Sequence, residues 1–105
     1  MTAFFVLCLV NSVNALAGEK QIENGRVIIL PEKNGQFSVD KYTMGKSQLL
    51  GYVGDLKDTK HVTGVVLKRV GQATSEQKHL VAEIAQYWQI EAFADSGDEL
   101  TPLSE

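Results

Sequence analysis

Apolar and polar positions change rhythm along this chain, and the clearest series runs through residues 61–94, HVTGVVLKRVGQATSEQKHLVAEIAQYWQIEAFA. Val62 to Leu67 is a β-branched run that closes with three apolar residues, Val65, Val66 and Leu67. A continuous apolar run this short predicts a strand covered on both sides. Gly64 inside it marks a bulge or a close approach of backbone. Thr74 then opens a helix. With Gln77 three positions on, it forms a capping box in which each side chain satisfies a backbone N–H that the helix leaves unpaired. Glu76 in the first turn complements the helix dipole. Leu80, Val81, Ile84, Ala85 and Trp88 form one apolar stripe, while Lys78, Ala82, Gln86 and Gln89 point away from it. Extended character resumes over Ile90 to Ala94, with Ile90, Ala92 and Ala94 on one side and Phe93 on the other. A strand, a crossover helix and a second strand predict a parallel unit.

Upstream, residues 18–25 are polar and read as a loose lead-in. Arg26 to Leu30 is a strand stopped by Pro31, and Lys33-Asn34-Gly35 supplies a turn. Gln36 to Tyr42 alternates, with Phe37 and Val39 on one face, which predicts an antiparallel hairpin. Residues 43–60 read as a first helix in which Leu49, Leu50, Val53 and Leu56 share a face. Gly45, Gly51 and Gly54 each weaken it by about 1 kcal/mol relative to Ala. They offer in return a close approach to the sheet. After Ala94, Asp95-Ser96-Gly97-Asp98 is a turn. Glu99 to Leu103 can add a short strand that Pro102 confines to an edge. The expected architecture is α+β, β-β-α-β-α-β, with two helices packed on one face of a four- or five-stranded mixed sheet.

The stretch TGVVLKRVGQATSEQKHLVAEIAQYWQIEAFA, taken with the order of elements over 27–94, resembles the periplasmic domain of the ExbD/TolR family. That resemblance implies the same α+β class. Those proteins carry a membrane helix with an acidic residue for proton coupling, whereas residues 1–18 here hold no Asp or Glu. No proton-coupling role and no functional residue is carried over.

The N-terminus changes the picture most. Its first seventeen residues are uncharged, and an apolar run from Ala3 to Val10 leads to Ala15-Leu16-Ala17. This is the design of a secretory signal peptide over 1–17, lacking only a basic residue before its apolar core. The expected mature chain is a single domain over 18–105, periplasmic or secreted, with no stable membrane span after cleavage. Cys8, the one cysteine, falls within that signal. It is flanked by Leu7 and Leu9, which do not suit a lipoprotein site.

Candidate chemistry is sparse. A net charge of −3 gives no basic footprint for nucleic acid. Gly45-Lys46-Ser47 resembles the end of a phosphate loop, but Asp40 stands where that loop needs its first glycine. His79 and Glu83 are four apart on the second helix, and His61 would have to join them for a third metal ligand. The acidic turn Asp95, Asp98 and Glu99 lacks the spacing of a calcium loop. There is no nucleophile elbow. No cofactor is called for and no enzyme activity is expected. Tyr42, Tyr52 and Tyr87 read as boundary aromatics, a possible interaction surface. The expected role is a small exported non-catalytic interaction module that binds another envelope protein by a sheet edge or these aromatics. A small-ligand or metal-binding carrier is the alternative, and a compact hydrolase ranks below it.

Overall fold

The computed structural model describes residues 21–103, so the expected signal peptide over 1–17 and Cys8 lie outside the described residues. The order is β1 (Ile22–Glu23), β2 (Arg26–Pro31), β3 (Phe37–Val39), β4 (Tyr42–Met44), α1 (Lys46–Lys60), β5 (Gly64–Lys68), α2 (Ser75–Trp88), β6 (Glu91–Asp95) and β7 (Leu100–Pro102). The fold is α+β, with two helices and one mixed sheet in the order β4-β3-β2-β5-β6-β7. β1 pairs with β2 along the edge that β2 also gives to β3, since β5 occupies its other edge over Arg26–Ile29.

The sheet is larger than the four or five strands expected, and the extra strands come from tight turns. Residues 18–25 are not all a lead-in. Asn24 and Gly25 take positive φ, 55° and 77°, and close a hairpin between β1 and β2. That is the backbone demanded by a two-residue turn whose twist matches the strands. A second such turn at Asp40-Lys41, with φ of 50° and 75°, folds the expected single strand over 36–42 into β3 and β4. The first helix therefore begins at Lys46 and not at 43, after Gly45 in extended backbone. Asn34 and Gly35 turn the chain between β2 and β3, as expected.

The unit over 61–94 takes the expected form, with β5 and β6 parallel neighbours joined through α2. Val27, Ile29, Phe37, Val39, Val65 and Leu67 on one side of the sheet meet Leu49, Val53 and Leu56 of α1 and Val81, Ile84 and Ala85 of α2. Both helices thus cover the same face. Ala82, placed by its spacing on the outside of α2, is buried; its methyl is small enough to lie at the margin of a tightly covered stripe.

Thr74 and Gln77 form the capping box, with reciprocal bonds of 3.0 and 2.9 Å. Gln77 does more than cap. Its Nε2 donates to the carbonyls of Glu32 and Gln36 at 3.0 and 2.8 Å, so the start of α2 is fastened to the β2–β3 turn. Only 1% of the residue is exposed.

The far ends of the helices interlock through Trp88. Its indole Nε1 donates to the carbonyl of Leu50 at 2.9 Å, and its own carbonyl accepts from Lys57 Nζ at 2.6 Å. The second bond satisfies a helix-terminal carbonyl with a cation, as the helix dipole favours. Gly54 lies beneath the indole, where a Cβ would run into the ring. The glycine expected to let α1 approach the sheet thus lets it approach α2.

Both outer strands are three residues long. On β7, Leu103 N–H bonds Ala92 and Thr101 pairs with Ala94, so Leu100 and Pro102 turn their backbone groups outward. Proline has no N–H to offer there.

Replacing Gln77 with Leu should lower unfolding free energy by about 1–3 kcal/mol, because the side chain's bonds to the Glu32 and Gln36 carbonyls and the α2 cap are lost together; urea unfolding measures this. The helix glycines should diverge. Gly51→Ala faces open space and should stabilise by up to about 1 kcal/mol. Gly54→Ala should destabilise by about 1–3 kcal/mol through its clash with Trp88. Paired thermal melts distinguish the two.

Candidate interaction surface

The residues singled out in the sequence do not converge. Tyr42 sits on the edge strand β4 and Tyr87 in the last turn of α2, each 67% exposed. Tyr87 stands edge-on to Trp88 at 4.9 Å between ring centroids. Tyr52 is half-buried on α1, and its hydroxyl accepts from Gln21 Nε2. Three different elements carry the three rings. His79 Nε2 lies 4.0 Å from Glu83 Oε2 on the exposed side of α2. His61 is not with them. It ends α1 in left-handed backbone with φ of 55°, its N–H bonded to the Lys57 carbonyl. Among the described residues, no group of three or more His, Cys, Asp or Glu side chains gathers to hold a metal. Gly45 N–H is met by Gln48 Oε1 at 3.4 Å, beside a shallow hollow that also borders Glu76, so a carboxylate stands where a phosphate loop would want none.

The feature that the fold creates lies elsewhere, on the sheet face that the helices leave open. Strand alternation sends Arg26 and Ile28 of β2, Val66 and Lys68 of β5, and Phe93 and Asp95 of β6 to that face. Register turns these into rows. Ile28, Val66, Phe93 and Pro102 stand side by side across four strands. Arg26, Gly64 and Glu91 form the row on one side, and Lys68, Asp95 and Leu100 the row on the other. A groove of about 340 Å³ opens over them, with Ile28 and Val66 in its lining, between Glu23 and Arg26 at one end and the turn Gly97 to Leu100 at the other. A smaller hollow of about 240 Å³ beside Arg69 and Ser96 continues it past the ends of β5 and β6.

Two charged contacts shape the groove. The Arg26 guanidinium lies 4.4 Å over the Phe93 ring centroid, a stacking contact that spans the intervening strand β5. Gly64 is what β5 presents there. A Cβ on Gly64 would stand 3.5 Å from Arg26 Cγ and 2.9 Å from the Glu91 carbonyl oxygen. The close backbone approach expected at Gly64 is therefore real, and it opens the path that Arg26 follows to Phe93.

Glu23 is the cross-strand neighbour of Arg26, yet its carboxylate goes to Lys68 Nζ at 3.7 Å. Val66 was expected to be covered on both sides. It is buried to 4% exposure within this charged groove, with no helix above it. Among the described residues, the groove lining contains no Ser, Thr, His, Cys or Tyr. Its polar groups are carboxylates, cations and one asparagine, an inventory suited to ion pairing and hydrogen bonding. Asp95 Oδ1 accepts from Gly97 N–H at 2.8 Å and shapes the turn, while Asp98 and Glu99 are exposed.

The signal for this surface was present as the off-phase half of each strand. Arg26 and Ile28, Val66 and Lys68, and Phe93 and Asp95 each alternate an apolar with a charged residue at spacing two. Register, which the sequence does not display, is what assembles them.

Arg26→Ala should cost about 0.5–1 kcal/mol for the lost stacking. Gly64→Ala should cost about 1–3 kcal/mol from the crowded backbone. Because a methyl at 64 already disturbs Arg26, the double variant should lose less than the sum. Urea denaturation of the four proteins measures the cycle.

No family model, no curated protein and no solved structure matches this chain.

Proposed function

We propose that the chain is a small exported protein without catalytic activity, acting as an interaction module of the cell envelope, and that it meets its partner through the open face of its sheet. The observation that carries this reading is the one-sided packing. Both helices lie on a single face, and the other face holds a stacked cation, an apolar row and an acidic turn in fixed register. Such a surface has charges of both signs around an apolar centre, which suits selective recognition more than tight enclosure of a small molecule.

The sheet edges offer less. β4 and β7 are three residues each, and Pro102 removes a donor from the outer side of β7. Tyr52 has its hydroxyl engaged within the chain. Among the described residues, no helix is long and apolar enough to cross a membrane. Export rests on the uncharged apolar start and its Ala15-Leu16-Ala17 pattern. The resemblance of the strand–helix–strand stretch TGVVLKRVGQATSEQKHLVAEIAQYWQIEAFA to ExbD/TolR periplasmic domains suits an envelope setting.

A photo-crosslinking side chain placed at Leu100, on the groove wall, should yield a covalent adduct of defined mass in expressing cells. The same probe at Asp58, exposed on α1, should yield none. Intact mass of the protein recovered from the periplasm or medium should begin at Gly18. An adduct from Asp58 alone, or a full-length mass confined to the cytoplasm, overturns the reading.

A further inference from the structure

Arg26 is a positioned cation with its hydrogen-bonding edge unspent. Its Cζ lies over the Phe93 ring, its natural cross-strand partner Glu23 is taken by Lys68, and among the described residues no carboxylate lies within ion-pair distance of it. A guanidinium held over an aromatic ring can still offer N–H donors to a carboxylate, and holding it in advance lowers the entropy lost on pairing. The floor beside it is aliphatic, made by Ile28 and Val66. The occupant that fits is therefore first of all a carboxylate.

The chain carries that occupant itself. Asp98 and Glu99 are exposed carboxylates, and the residue that follows is Leu100, 41% exposed and an exposed large aliphatic side chain. They stand at the opposite end of the same groove from Arg26. A surface that holds a receptor at one end and its ligand at the other is complementary to itself. A two-fold axis lying across the groove, midway between the ends, carries each end of one copy onto the other end of its mate.

We propose that two copies of the chain associate face to face across this groove, the Asp98-Glu99-Leu100 turn of each seated on Arg26 and the Ile28–Val66 floor of the other. This deepens, and rests on, the assignment of the open face as the interaction surface. Every contact forms twice in such an isologous arrangement. Two open sheet faces packed together recreate the second layer that the helices do not supply. Ile28 and Val66 are already largely shielded by their own surroundings, at 3% and 4% exposure, so the association draws on charge pairing more than on new apolar burial. It is accordingly weak and sensitive to salt.

Sedimentation of the purified protein, in the form in which cells yield it, tests this at concentrations up to about 1 mM, in the range where small interfaces self-associate. The expected result is a concentration-dependent dimer that weakens as salt rises. Arg26→Glu should weaken it at least about tenfold, and so should the pair Asp98→Lys and Glu99→Lys, as expected for loss of charge pairs made twice. Combining all three reversals in one chain should restore the dimer. The exposed substitutions at 98 and 99 leave the core untouched, so the test holds even if the change at 26 harms folding.

A protein monomeric throughout, or a dimer indifferent to the reversals, overturns the proposal. The Leu100 crosslink separates this failure from failure of the surface itself. An adduct of twice the chain mass supports self-association. An adduct with a different protein, from a chain that sediments as a monomer, overturns it and leaves the open face as the interaction surface. No adduct from Leu100 and no dimer removes both.

Discussion

The buried carboxamide of Gln77 is the constraint on which most of the architecture depends. One side chain completes the α2 cap through its oxygen and clamps two carbonyls of the β2–β3 turn through its nitrogen. A helix start and a strand turn more than forty residues apart in sequence are thereby fixed in one geometry. Burying such a group is unfavourable unless each polar atom finds a partner, and here each does. The position of α2 over the sheet follows from that clamp at one end and from Trp88 at the other, where the indole and Lys57 tie α2 to α1. With both ends held, the helix pair has little freedom to slide across the sheet. The side that it leaves uncovered is set with equal firmness.

The sequence made the long elements legible and the short ones obscure, for identifiable reasons. α2 and the flanking strands were readable because stripe, cap and β-branched runs all pointed the same way over residues 61–94. β4 was hidden because its turn carries Lys41 where such turns usually carry glycine, so Asp40 alone did not announce a reversal. β1 was carried by Asn24-Gly25, a strong turn signal, but the two-residue strand before it has too little pattern to register. Gln77 was recognised as a cap residue, while its clamp to Glu32 and Gln36 is a tertiary contact with no local trace.

For the site, the opposite emphasis held. Tyrosines and histidines carry the more versatile chemistry, yet the fold spends two of them on internal work. His61 stops a helix, and Tyr52 bonds to Gln21. Arg26 and Gly64 looked ordinary. Their significance arises only when register sets Gly64 between Arg26 and Phe93, so that an absent side chain on one strand lets a cation on the next reach a ring on the third.

The brevity of β4 and β7, with proline in the latter, has a further bearing on how this molecule survives among its neighbours. Unpaired strand edges are the template by which sheet proteins grow into indefinite ribbons. An edge that offers an incoming strand few consecutive backbone groups gives such growth no purchase. Association confined to a face is finite, because a face once covered is used up, whereas an edge that accepts a strand exposes another edge. The short outer strands β4 and β7 therefore offer an incoming strand little template for ribbon growth.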